Sequence, residues 1–341
     1  MSGGRRHGAW IEGMAAGNRG FTLIELMVAM LLGLIVTAGV ISVFLANQDV
    51  YRTNEALGDV QDSSRVAFET MAINIRAAGL VGCANNGQVA NVLPEGPGHG
   101  GNAWWADWNN ALRGYGEGTA ADPALNPDNQ VPGTDSLMTL EAGDSGMSIA
   151  ANDSGAGTFT LDEVDANVDL QPGDAMIVCD PDHAALFRAT SYDSAGKTVG
   201  YAPQGSLSNC SIGLGYPTVC TPAGTAYTFG ANASLASLVA SDWYIGKNPD
   251  GGSSLYRVSV DTGTGESSAQ EMVRNVDQMD ITYHQSPQPS YVEASKVTDW
   301  SKVDAVAVTF KVQSTDTRAG TDAKPIERSF VMTATVRNRV N

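Results

Sequence analysis

Gly20-Phe21-Thr22-Leu23-Ile24-Glu25-Leu26-Met27-Val28-Ala29-Met30 opens the stretch of this chain that decides its architecture. From Leu26 to Gln48, twenty-three residues follow without a charge, and Glu25 stands at their edge. As a helix such a run spans about 35 Å at 1.5 Å per residue, enough to cross a bilayer. A carboxylate there costs up to about 2.5–3.5 kcal/mol on insertion, less near the interface. It therefore calls for a cation, and the apolar run supplies none.

The residues before and after the run show how that cation could arise. A secretory signal places its small-residue cleavage site beyond the apolar core. Here Val36-Thr37-Ala38 and Val40-Ile41-Ser42 are poor exits, whereas Gly20 lies before the core. Cutting after Gly20 keeps the whole helix and makes Phe21 a new N-terminus. Its α-amino group then lies about one helical turn from Glu25 in the same chain. A neighbouring subunit shifted along its axis could equally bring its own amine to this carboxylate. Either pairing offsets the cost of burying both charges. Arg5, Arg6 and Arg19 precede the span against Glu12, which argues for an N-in, C-out orientation.

The segment Gly20-Phe21-Thr22-Leu23-Ile24-Glu25 resembles the class III signal of type IV prepilins and pseudopilins. That resemblance implies a membrane peptidase that cleaves between Gly20 and Phe21 and methylates the Phe21 amine. It also implies that Glu25 pairs with the amine of an adjacent subunit during assembly. The implied organisation is a removed leader over 1–20, a transmembrane and amphipathic helix over 21–80, and a β-rich periplasmic or extracellular domain over 81–341.

The full chain carries 37 acidic and 20 basic residues, a net charge of −17. The leader's three Arg and one Glu account for +2, so the mature chain stands at −19. That balance opposes binding to nucleic acid. About 260 residues remain beyond the leader and helix, ample for a sizeable core. Cys83, Cys179, Cys210 and Cys220 all fall on the outer side, where an even count reads as two disulfides with three connectivities. Cys210 and Cys220 are ten apart across a Gly/Pro-containing loop, which pairs them and leaves Cys83 with Cys179. A zinc site lacks any C-x-x-C spacing, and the few histidines do not cluster with the cysteines in the sequence. We expect no metal.

Beyond Asp49, apolar residues recur at Val50, Leu57, Val60, Ala67, Met71, Ile75 and Ala78, near a 3.6-residue period. Arg65 and Glu69 form an i,i+4 pair, and Gly79 offers a stop. The expectation is one helix from about Phe21 to Ala78, its second half packed on a sheet. Residues 82–133 read as loop. Strands are expected at Ser136–Leu140, Thr158–Leu161, Ala175–Cys179, Ala185–Thr190, Thr198–Tyr201, Ser254–Val260, Met279–Tyr283, Val303–Val312 and Phe330–Val336. With no βαβ rhythm, the fold class is α+β: a pilin-like helix on an antiparallel sheet.

Ala111-Leu112-Arg113-Gly114-Tyr115, Pro132-Gly133-Thr134-Asp135-Ser136-Leu137, Met272-Val273-Arg274-Asn275-Val276-Asp277-Gln278-Met279 and Thr335-Val336-Arg337-Asn338-Arg339 are similar, in order, to segments of the PilW family of minor pilins. This implies a low-abundance pilin that starts or caps a type IV pilus with other minor pilins and the major pilin, in support of twitching motility. Its inner-membrane form is processed by prepilin peptidase, and the assembled form is extracellular. Two further readings are a J-like type II secretion pseudopilin and a tip adhesin.

Other motifs weigh less. Gly143-Asp144-Ser145-Gly146 lacks the following Gly and a usable upstream His for a protease triad, and reads as a turn. Asp165-Ala166-Asn167-Val168-Asp169 has calcium-loop spacing but lacks the EF-hand Gly and Glu, leaving at most a loose Ca2+ site. Trp104, Trp105 and Trp108 could face a sugar or plug a gap beneath a loop. His183 and His284 read as surface or satisfied histidines. No phosphate loop or nucleophile–base pair is visible, so no enzyme and no cofactor are expected.

Overall fold

The computed structural model describes residues 20–83, 88–97, 99–117, 119, 129–144, 146–162, 169–320, 322 and 324–339. Most of the leader, Asp165 to Val168 of the calcium-like loop and Ser145 lie outside the described residues. The chain divides into two compact units, Met1–Asn54 and Glu55–Asn341.

A single helix, α1 (Leu23–Ala77), runs for 55 residues, about 80 Å. It ends where the chain turns left-handed: Gly79 takes φ 75°, and its N–H donates to Leu140 O at 2.8 Å. Only a residue without Cβ enters that conformation cheaply. In the second unit the buried positions of α1 are Ala56, Val60, Ser64, Ala67, Met71, Ala72, Asn74 and Ile75, a stripe at helical spacing. Val50 falls outside it and is exposed, because the stripe begins only where the second unit begins.

Sixteen strands follow among the described residues. The larger sheet is built around β10 (Ser234–Lys247), the longest of them at 14 residues. The first part of β10 pairs antiparallel with β4 (Met147–Asp153) and β6 (Ala175–Cys179). Its remainder pairs with β3 (Ser136–Ala142) and β11 (Ser253–Val260). Beyond β6 lie β7 (Ala184–Arg188) and β1 (Val89–Asn91), and the β1–β7 pair is parallel. Beyond β4 lie β5 (Thr158–Leu161), β9 (Thr198–Gly200) and β8 (Ser191–Asp193). The short β2 (Leu112–Tyr115) edges β3, and β12 (Ser267–Arg274) edges β11.

The second sheet has the order β14 (Tyr291–Glu293), β13 (Val276–Gln285), β15 (Val303–Gln313), β16 (Glu327–Thr335), all antiparallel. β15 alternates cleanly, burying Val306, Val308, Phe310 and Val312. Each such side chain contributes roughly 1.5–3 kcal/mol of transfer free energy.

Two expectations are corrected here. Residues 82–133 are not all loop: they hold β1, β2 and two short 3-10 turns at Trp104–Ala106 and Trp108–Asn110. The helix also does not pack on one sheet alone. Met71, Ile75 and Ala78 share a core with Trp243 and Ile245 of β10, Leu255 of β11, Ile281 and Tyr283 of β13 and Phe310 of β15. The helix therefore seals the junction between both sheets. A second core gathers Phe159, Phe187, Tyr201 and Phe229 under β5, β7 and β9.

Candidate functional site

The first turn of α1 is built from its own sequence. Thr22 caps the helix: its Oγ1 accepts from Glu25 N at 3.2 Å and its carbonyl from Leu26 N at 3.1 Å. Thr22-Leu23-Ile24-Glu25 is thus a threonine cap with an acid at the third helical position, the pattern of a capping box. Thr22 is the residue that the reading of the sequence missed, and the T-x-x-E spacing would have found it. Glu25 also lies where the helix dipole favours an anion. Among the described residues, no cation pairs with it. Phe21 precedes the cap and is 82% exposed.

From Leu26 to Leu45 every large apolar side chain of α1 is exposed, a surface far larger than water-facing proteins carry. By length and composition the helix can cross a membrane. Its few polar side chains are satisfied internally: Thr37 donates to Gly33 O at 2.8 Å and Ser42 to Gly39 O at 3.1 Å. A helix in lipid needs that self-sufficiency. The same helix provides the apolar surface for lipid or for neighbouring helices, and the acid that requires a counterion.

Prepilin features at one end meet a second match at the other. The prokaryotic N-terminal methylation motif matches residues 16–41, and the type IV pilus-assembly protein W family model matches residues 242–338. This chain is a PilW-like type IV pilin. Residues 242–338 carry the last six residues of β10, all of β11 to β16 and much of the core that receives the helix. No curated protein and no solved structure matches the pilin.

The pilin is a structural, non-catalytic protein, and its remaining chemistry-bearing groups are engaged in holding the fold. Cys83 is bonded to Cys179 and Cys210 to Cys220. The first bridge ties the segment after the helix to β6. Near the second, folding does what spacing did not suggest: His99 Nδ1 lies 2.7 Å from Cys220 Sγ and 3.9 Å from Cys210 Sγ. The separation of a histidine from the cysteines was therefore one of sequence only. The three donor atoms fall within 4.8 Å of one another, yet both sulfurs belong to the disulfide. Metals bind thiolates, and the oxidised pair offers none.

His183 is buried rather than surface-exposed, with its Nε2 2.7 Å from Leu214 O and its ring against Tyr227. His284 Nδ1 meets Asp304 Oδ1 at 2.5 Å. Trp104, Trp105 and Trp108 pack on the core beside Leu93 and Leu140, with Trp105 buried, so they plug a gap beneath the loop. Two clefts, of about 760 and 810 Å³, carry no histidine among their described lining residues.

A polar clamp lies on the buried stripe of α1. Asn74 Nδ2 donates to Glu141 Oε1 of β3 at 2.8 Å, and Asn74 Oδ1 accepts from Trp243 Nε1 of β10 at 3.2 Å. Burial pushes the Glu141 carboxyl up to about 7, against the lowering effect of Asn74 and Arg257. One helix side chain thus fixes the register of the helix against two strands, since a misplaced Asn74 would leave three buried groups unpaired.

Proposed function

We propose that this inner-membrane-anchored pilin is cleaved between Gly20 and Phe21 by prepilin peptidase and methylated at Phe21. It then joins other minor pilins and the major pilin to start or cap the fibre. Before assembly the basic leader holds the N-terminus inside and the domain outside. The leader spans 1–20, the helix 21–80 and the outer domain 81–341. Glu25 sets the axial register by accepting the terminal amine of a neighbouring subunit. The apolar helix supplies packing area, and the β-rich domain selects partners. No cofactor enters this scheme.

The observation that carries the reading is the capped first turn, in which a lone carboxylate borders twenty-odd apolar residues and meets no described cation. In lipid or in a fibre core, helix association depends on close contact and on satisfying the few polar groups. Glu25 is the group left to satisfy.

The test is mass spectrometry of the mature N-terminus beside a Glu25→Ala variant. Methylated Phe21 is expected in both, with assembly lost in the variant. A mature protein that retains residues 1–20, or a variant that is incorporated as well as wild type, would falsify the corresponding step.

A further inference from the structure

The smaller sheet ends in an edge unlike any other in the pilin. β16 pairs with β15 over nine consecutive residues without a register shift, and no described strand occupies its other side. Between Ser329 and Thr335 the strand reads Ser-Phe-Val-Met-Thr-Ala-Thr, with no charge, proline or glycine. Proteins blunt exposed edges with charges, prolines, bulges or brevity. The other edges of the two sheets follow that rule. β14, β8 and β1 have three residues each, and β2 has four. β12 is as long as eight residues, but it carries Glu271 and Arg274 and its pairing with β11 is bulged. Among the described edges only β16 is both long and unbulged, with its charges, Glu327 and Arg328, confined to its first two positions.

Its side chains are arranged for contact. Phe330, Met332 and Ala334 turn towards the core, whereas Ser329, Val331, Thr333 and Thr335 face outward. Val331 is 69% exposed, the highest value for a large apolar side chain in the Glu55–Asn341 unit among the described residues. Cations flank the strand. Glu327 is held by Lys311 Nζ at 2.8 Å, so it does not neutralise its neighbour. Arg328 donates only to the backbone oxygen of Glu327, and neither Arg328 nor Arg337 has a carboxylate partner among the described residues. In a chain of net charge −17, this edge presents two unmatched positive ends about an uncharged centre.

We propose that β16 accepts a strand from a different pilin subunit: an extended segment, uncharged at its centre, with carboxylates near its ends. Strand addition takes its affinity from main-chain hydrogen bonds and its selectivity from alternate side chains and flanking charges. A second copy of this chain fits less well. Its own β16 brings the same arginines and no free carboxylate, and two chains of net −17 repel at long range. The inference rests on the pilus reading and names the surface through which that assembly would select a partner.

The experiment places the photoreactive residue p-benzoylphenylalanine at Val331 of the full-length protein in its native host. Irradiation followed by mass spectrometry should find an adduct to another pilin, on a segment whose uncharged centre is flanked by Asp or Glu. Combining the probe with Arg328→Glu and Arg337→Glu should lower adduct yield at least fivefold while both disulfides still form. No pilin adduct, an adduct only to a second copy, or a yield indifferent to the charge reversals would each overturn the proposal. Glu25→Ala serves as the parallel control. If that variant loses pili while Val331 gives no pilin adduct, the edge proposal fails alone. If it assembles normally, the role given to Glu25 is at fault, and the Val331 adduct decides the edge proposal separately.

Discussion

Two halves of α1 share one backbone and are made for different solvents. Between Leu26 and Leu45 the apolar side chains point in every direction and all are exposed. Between Ala56 and Ala78 most of them collect on one stripe, with Val66 and Ile73 left exposed and Arg65 and Glu69 paired at 2.7 Å on the outside. The first half has no inside because its surroundings are meant to be apolar on all sides. The second half has one because a sheet junction covers a single face. The comparison teaches that helix propensity says little about location, whereas the angular spread of apolar residues says a good deal.

That contrast can be broken in either half. Ile75→Ala removes a fully buried contact in the shared core and should cost about 2–5 kcal/mol, read by thermal or denaturant unfolding, with membrane insertion unchanged. Leu34→Arg should do the reverse. It adds about 2.5–3.5 kcal/mol to insertion, read as loss from the membrane fraction, while the β-rich unit still folds.

Smaller changes sharpen the second half. Asn74→Ala leaves Glu141 and Trp243 without their buried partner and should cost about 1–3 kcal/mol in unfolding measurements. The raised Glu141 carboxyl gives a pH signature. Its proton is held more tightly folded than unfolded, so its favourable contribution is complete below about 4.5 and fades as pH rises through about 7. Glu141→Gln, which keeps the shape of the neutral acid, should flatten that slope and stabilise the protein by about 1 kcal/mol at pH 8, measured by unfolding across pH.

Much of this was legible where one face or one spacing governed a segment. The helix limits and the bounds of β5 and β6 follow from periodicity and turn residues. β15 announces itself by alternation. β10 does not: Ser234 to Lys247 is rich in Ala, Ser and Gly and buried on both faces where it passes between layers, so no period of two survives. Parallel pairing of β1 with β7 joins segments nearly a hundred residues apart and leaves no local trace. The approach of His99 to Cys220, across 121 residues, is equally silent in sequence, as is the meeting of Asn74 with Trp243 across 169. At the start of α1 both the Glu25 charge and the dependence of its backbone N–H on Thr22 are legible, the second through the T-x-x-E spacing.

The bridge from Cys83 to Cys179 has a mechanical meaning. Tension drawn along a fibre would leave α1 at Ala77 and, six residues later, reach a covalent bond into β6, which is hydrogen-bonded to β10. The load therefore enters the sheet through sulfur rather than through side-chain contact alone. While the sulfurs stay joined, the end of the helix cannot be drawn farther from β6 than the six-residue link to Cys83 allows.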